Sequence, residues 1–138
     1  MALTLLYAGS DYTSYLATRS LSIQDRLDSR NTASLTLVDP ATGTPSAPAI
    51  GAAVQIGDKV DSTTNLAEDV DSGAETDVDV GDSSVFAVGD YVLVDTEVWK
   101  ITAISSPTLT VQRGAMGSTK ATHSSGADVF DFTPYFAG

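Results

Sequence analysis

The sequence predicts an all-β protein, made of small sandwich or barrel modules built from short antiparallel strands. Apolar and polar residues alternate with period 2 in run after run, which puts one face of a strand in a core and the other outside. Glycine, proline or Asp/Ser clusters interrupt these runs at intervals of roughly ten residues, the spacing of a small sandwich or barrel. Helix signals are poor: turns are conceivable at 14–18 and 62–70, but neither carries an apolar face at period 3.6.

The first run is Leu3, Leu5 and Tyr7, alternating with Thr4 and Leu6. It lacks a basic n-region and stops at Gly9-Ser10-Asp11, so it is expected to be a strand and not a signal peptide. Leu21 and Ile23 form a second run, Leu35 and Leu37 a third, and Val54 and Ile56 a fourth. Between the third and fourth, Asp39-Pro40-Ala-Thr-Gly43 has turn chemistry, and Pro45 to Pro48 continues a loop that cannot join a central ladder. Residues 57–75 are polar and rich in Asp, Ser and Thr, and are expected to be a joint.

The chain thus divides into an N-terminal β module over 1–57, an acidic linker over 58–75 and a C-terminal module over 76–138. In the last, Val78 and Val80, then Tyr91 to Val94, then Val98 to Ala103, then Leu109 and Val111 supply strands. Asp95-Thr96-Glu97 is a tight hairpin between two of them. The segments Ala49–Ile56 and Ala87–Val94 share the pattern Ala-[Ile/Val]-Gly-x-x-Val-x-[Ile/Val], which a glycine turn feeding a strand explains without duplication.

The 138 residues carry a net charge of −11, and its placement is uneven. Residues 58–97 hold twelve acids against Lys59 alone, while the flanking thirds are nearly neutral. A surface of that sign repels phosphate backbones, so no nucleic-acid partner is expected. No apolar run approaches the roughly 18 residues that cross a bilayer, so no membrane role is expected either. With no cysteine, disulfides and thiolate zinc sites are excluded.

Two stretches carry a resemblance. Arg19-Ser-Leu-Ser-Ile-Gln-Asp25-Arg-Leu-Asp-Ser-Arg30-Asn-Thr-Ala-Ser-Leu35-Thr-Leu-Val-Asp39, followed by Pro48-Ala-Ile-Gly-Ala-Ala-Val-Gln-Ile56, resembles the N-terminal β module of phage tail-tip and baseplate proteins. Val111-Gln-Arg113-Gly114-Ala-Met-Gly117-Ser-Thr-Lys-Ala121-Thr-His123-Ser-Ser-Gly126-Ala-Asp-Val129 is similar to a motif that closes a small β domain in phage tail proteins. The middle strands of that domain read Gly-Asp-x-Val-x-Val-Asp-x-Glu-x-x-x-Ile-x-x-Ile, as residues 89–104 do. The Gly-rich strand pair that usually completes the first module is missing. Residues 1–57 must therefore complete their sheet from the second module or from a neighbouring subunit.

The resemblance implies a non-enzymatic structural subunit of a tailed-bacteriophage particle, assembled in the bacterial host cytoplasm and located in the virion. Its partners would be other copies of itself, in a ring or lattice, and neighbouring virion proteins of the tail or tail tip. Capsid decoration, head–tail joining and a host-surface carbohydrate-binding module are the alternatives.

Of the side chains that could carry chemistry, His123 is the single histidine, with Ser118, Ser124, Ser125 and Asp128 near it in sequence. No strand–nucleophile–helix context surrounds them, so no catalytic residue is assigned and His123 is expected to brace its loop. No cofactor is expected. The acidic stretch Asp69–Asp82 is a calcium alternative, though it fails the EF-hand pattern with Gly73 at the fifth position and Ala74 at the glycine position. Arg113 with Gly114 and Gly117 lacks the Lys-Ser/Thr of a phosphate loop and is expected to brace the acidic third, within the subunit or across an interface. Trp99 is expected in the core. Pro134 is expected to end the last strand and project Tyr135 and Phe136 as docking aromatics. The candidate interface is accordingly Leu3, Leu5, Tyr7, Arg113, Tyr135 and Phe136.

Overall fold

The computed structural model of the protein describes residues 2–7, 10–15, 22–24, 32–34, 54–60, 64–71 and 73–137. The expected run at Leu35 and Leu37, the turn at 39–43 and the loop at 45–48 lie outside them, as do residues 49–53 of the repeated pattern. The described residues are dominated by antiparallel strands, as the period-2 runs require. Among them no helix is long and apolar enough to cross a membrane.

Strands β1 (Ala2–Tyr7), β2 (Ser10–Asp11), β3 (Ser22–Gln24), β4 (Thr32–Ser34) and β5 (Val54–Lys59) come from the first part of the chain. β3 and β4 pair with each other as a separate two-stranded sheet. Then follow β6 (Thr64–Asn65), β7 (Asp77–Asp79), β8 (Tyr91–Val94), β9 (Glu97–Ser105), β10 (Thr108–Gln112) and β11 (Asp128–Ala137). A short 3-10 turn covers Thr13–Tyr15 and another Ala115–Gly117.

The later strands close a small barrel. β8 and β9 form a hairpin in register Val94↔Glu97 around the two-residue turn Asp95-Thr96, where Asp95 takes φ 53. Asp tolerates that left-handed region better than most residues. β10 pairs β9 on one side and β7 on the other, while β11 pairs both β8 and β6. The ring is completed between β6 and β7. Leu66 bridges Val80, the Ala67 N–H donates to the Asp79 carbonyl (2.8 Å) and the Gly81 N–H to the Asn65 carbonyl (2.9 Å). Closure of this kind removes the unpaired edges that an open sheet would expose.

Inside lie Leu66, Val70, Val78, Val80, Phe86, Val92, Val94, Trp99, Ile101, Leu109, Val111 and Val129. Trp99 is fully buried, as its phase on β9 predicts. Each buried Val, Leu or Ile contributes about 1.5–3 kcal/mol of transfer free energy.

The structure differs from the expected division at residues 58–75. Leu66 and Val70 of that stretch are barrel core, Val70 pairs with His123 as an isolated bridge, and 64–65 is a strand with no helical turn. Its many Asp and Ser residues conceal two isolated apolar anchors, Leu66 and Val70.

The tail differs as well. Residues 133–137, expected to project outward, continue β11, and the ladder runs Thr133↔Asp58, Pro134↔Gly57, Phe136↔Ile56 and Ala137↔Gln55. Pro134 is accommodated because the register shifts between Pro134 and Phe136, a bulge where a missing N–H is tolerated. β11 thereby joins the barrel to β5, and β5 to β1 through six register pairs from Ala2↔Lys59 to Tyr7↔Val54. Of the two ways residues 1–57 could complete their sheet, the structure uses a strand of the second module. A second core of Leu6, Leu93, Val98, Ala115 and Phe132 fills the angle between this extension and the outer face of the β8–β9 hairpin.

Gly57 sits where β5 and β11 come closest. A Cβ there would lie 2.5 Å from Phe132 Cζ and 2.6 Å from the Thr133 carbonyl oxygen. Phe132 is buried and the carbonyl is backbone, so neither can yield freely. Gly57→Ala is expected to cost about 1–3 kcal/mol, the usual penalty of overpacking, read as a lowered denaturant midpoint. A neutral substitution would mean that β5 and β11 are not held this closely in solution.

Candidate functional site

The buried ionisable side chains of the barrel, Arg113 and His123, converge on one carboxylate. Glu97 opens β9 on the same face as Trp99 and Ile101, because residues two apart on a strand share a face. That face points inward, and Glu97 is fully buried. A buried carboxylate is tolerated only when it is paired and hydrogen-bonded.

Five N–H groups provide this. Arg113, just beyond β10, donates from Nε (2.8 Å) and from Nη2 (2.7 Å) in the bidentate fork that its planar guanidinium favours. The backbone N–H groups of Gly114 (2.9 Å) and Ala121 (3.0 Å) donate to the two oxygens. The fifth is His123 Nε2, at 2.9 Å. Arg113 also reaches the carbonyls of Ala121 (2.5 Å) and Glu75 (3.3 Å), and its guanidinium lies 4.8 Å from the Trp99 ring centre. The buried Trp99 indole N–H helps to keep Glu97 ionised, although it completes no hydrogen bond of good geometry among the described residues.

Local backbone chemistry makes this convergence possible. Gly114 adopts φ 64, and a Cβ there would lie 3.0 Å from the Ser118 carbonyl. Glycine is therefore what lets the chain turn back over Glu97. Ser118 pins the return: its Oγ accepts the Val98 N–H (2.9 Å) and lies 2.9 Å from the Ala115 carbonyl.

His123 is held by two carboxylates. Its Nδ1 lies 2.6 Å from Asp95 Oδ2 and its Nε2 2.9 Å from Glu97 Oε2. Ionised carboxylates only accept, so the ring makes both contacts as hydrogen bonds only in its imidazolium form, which donates from each nitrogen. Burial works against the charge on Glu97, but the hydrogen bonds from His123 and Arg113 outweigh it and hold the carboxyl well below its ordinary 4.5. Burial likewise pulls the His123 pKa down, and the contacts with Glu97 and Asp95 overcome it, lifting the ring above its ordinary 6.5. Two anions and two cations thus balance within one cluster.

The bracing expected of His123 falls to its side chain and its backbone alike. Its side chain bonds carboxylates, while its backbone N–H and carbonyl pair with Val70 (3.0 and 2.8 Å). With both ring nitrogens occupied, neither is placed to take a proton from Ser118, which bonds backbone, or from Ser124 and Ser125. Sequence reasoning missed Glu97 as the hub. The available signal was a charged residue in the inward phase of an otherwise apolar strand.

Stability should follow from these shifts. A histidine raised above 6.5 stabilises the fold fully below that pH, and the contribution is lost as pH rises through its folded value. A carboxyl depressed below 4.5 stabilises above that pH, and its contribution is lost as pH falls. Thermal melts should therefore show a plateau between these limits and decline on both sides. In His123→Gln the alkaline decline due to this group should disappear. An unchanged alkaline limb would show that His123 is not charged in the fold.

The residues expected at an interface are dispersed. Arg113 is buried in the network of its own chain, which places its bracing role inside the subunit. Leu5 is buried and Leu3 half-buried on β1. The side chains of Tyr7 and Phe136 lie outside the described residues. Tyr135 is 49% exposed and its hydroxyl donates to Asp58 Oδ2 (2.5 Å). Val85 and Val88, exposed on the loop before β8, were not singled out in the sequence.

Several acids of the calcium alternative accept hydrogen bonds from other parts of the chain. Asp77 and Asp79 accept from Thr110 and Thr108 across the β7–β10 pair, Asp69 accepts the Ser125 N–H, and Asp82 accepts from Ser84. Among the described residues no group of three or more His, Asp or Glu side chains is arranged to hold a metal ion. Comparison with protein-family models, with curated proteins and with solved structures finds no match to this chain.

Proposed function

We propose that the chain is a non-enzymatic structural subunit of a tailed-bacteriophage particle, assembling into rings or with neighbouring proteins of the tail or tail tip. The observation that carries this reading is how the phage-like motif is used. Arg113, Gly114, Ser118, Ala121 and His123, the residues of that motif most capable of chemistry, all serve to fasten one loop to the barrel around Glu97. A motif spent on holding a loop suits a building block whose work is association.

Three further features support it. The barrel is closed, so its strands are protected from unspecific pairing. Among the described residues the large apolar side chains left at the surface, Val85, Val88 and Tyr135, are few, as expected of a subunit that stays soluble until it meets defined partners. The acidic middle third opposes wrong association and contact with nucleic acid. Assembly would take place in the bacterial host cytoplasm and end in the virion.

Sedimentation and negative-stain imaging of the purified chain, alone and mixed with phage particles, test the proposal. Rings of uniform size, or saturable incorporation into particles, are expected. A chain that stays monomeric and binds no particle, or that binds an immobilised host polysaccharide instead, would overturn it. Tyr135→Ala should weaken association while leaving the β-type dichroism spectrum unchanged, because its ring is exposed.

A further inference from the structure

We propose that the Asp95–His123 contact is a protonation-gated clasp, which fastens the β8–β9 turn to the loop around His123 and opens at the Asp95 side when the imidazolium loses its proton. The argument rests on the unequal anchoring of the two carboxylates. Glu97 is fully buried and is held by four N–H groups besides the histidine: two from Arg113 and one each from Gly114 and Ala121. Asp95 lies on a two-residue turn with its side chain 62% exposed.

A neutral imidazole has one N–H and one lone pair, so it can donate to one carboxylate only. The other is left facing the lone pair. Glu97 cannot turn away without abandoning Arg113 in the interior, whereas Asp95 can rotate into water at little cost. The neutral ring therefore keeps its proton on Nε2, toward Glu97, and the Asp95 contact is lost. Asp95 is also the one member of the cluster with broad solvent exposure, so the proton leaves on that side.

What the clasp holds follows from the backbone. His123 pairs with Val70 through both of its main-chain groups, and three residues on, the Gly126 N–H donates to the Leu66 carbonyl (2.8 Å). Opening at Asp95 thus loosens the loop around His123 against the hairpin turn, while the 64–71 strap stays fastened to that loop. The charged groups facing the ring are Asp95 from the turn, Glu97 from β9 and, through Glu97, Arg113 from beyond β10. From the strap, Asp69 holds Ser125 by its N–H, and on the loop itself Lys120 packs beside Gly73 and Gly114.

The chain has one histidine and one tryptophan, so both report without ambiguity. Trp99 meets the His123 ring edge-on, with centroids 5.4 Å apart. In protein carrying ¹⁵N-labelled histidine, both ring nitrogens should be protonated at neutral pH. Above the titration midpoint the Nε2–H tautomer should appear, and Trp99 emission should change with the same midpoint. Asp95→Asn keeps a residue that accepts a left-handed turn but removes the charge. It should lower the midpoint by about one unit, the lower end of what an adjacent opposite charge contributes.

A neutral ring protonated on Nδ1 would overturn the proposal. So would an unchanged midpoint in Asp95→Asn, or a ring that keeps its proton until the whole protein unfolds.

Discussion

Replacing Glu97 with glutamine should be the most destabilising single polar change in this protein, at about 3–5 kcal/mol, the cost of breaking a buried ion pair by removing one partner. The carboxylate accepts five N–H groups, and two of its partners, Arg113 and His123, are cations with no access to bulk water. Glutamine offers one acceptor oxygen and turns an N–H₂ toward donors that already point inward. The loop from Gly114 to Ala121, which meets Glu97 at both of its ends, should detach first. Urea titration followed by Trp99 fluorescence measures the effect. Combination with Arg113→Gln should be strongly non-additive, because each change removes the same contact. A loss below about 1 kcal/mol would show that the network is not what closes the loop.

Removing residues 133–138 should separate the two halves of the sheet while the barrel survives. The deletion takes away the β11 partners of Asp58, Gly57, Ile56 and Gln55, and leaves β5, and through it β1, tied to β11 only by the Phe132↔Lys59 pair and the Val60 N–H to Asp131 carbonyl bond among the described contacts. The barrel loses nothing of its own ladder, because β11 meets β6 and β8 through Asp128–Asp131. With net worth about 1 kcal/mol per backbone hydrogen bond, a loss of several kcal/mol from the extension is expected. Hydrogen exchange should show Leu6 and Ile56 losing protection while Ile101 and Val111 keep theirs. Unchanged protection over 54–59 would mean that the tail is dispensable to the fold. Because the tail is a strand, lost assembly after this deletion would not by itself identify docking aromatics, and Tyr135→Ala separates the two effects.

The division between what was legible and what was not follows the range of the interactions. The alternation in Tyr91–Val94, Val98–Ile101 and Leu109–Val111, together with the turn at Asp95-Thr96, determined by itself that these residues form strands and a hairpin. Strand period and turn chemistry are local, so they are written in neighbouring residues. For the same reason the inward phase of Trp99 was readable.

Tertiary structure alone decided that Leu66 and Val70 line the barrel, that Pro134 sits in a bulge of a continuing strand, and that Glu97 is the hub for Arg113 and His123. Each depends on partners far along the chain: Val80 for Leu66, Gly57 for Pro134, and residues 16 and 26 positions away for Glu97. A polar segment or a lone acid has the same local signature whether it faces water or a buried partner. Only the closure of the barrel brings those partners within hydrogen-bond distance, and only then does burial make their pairing obligatory.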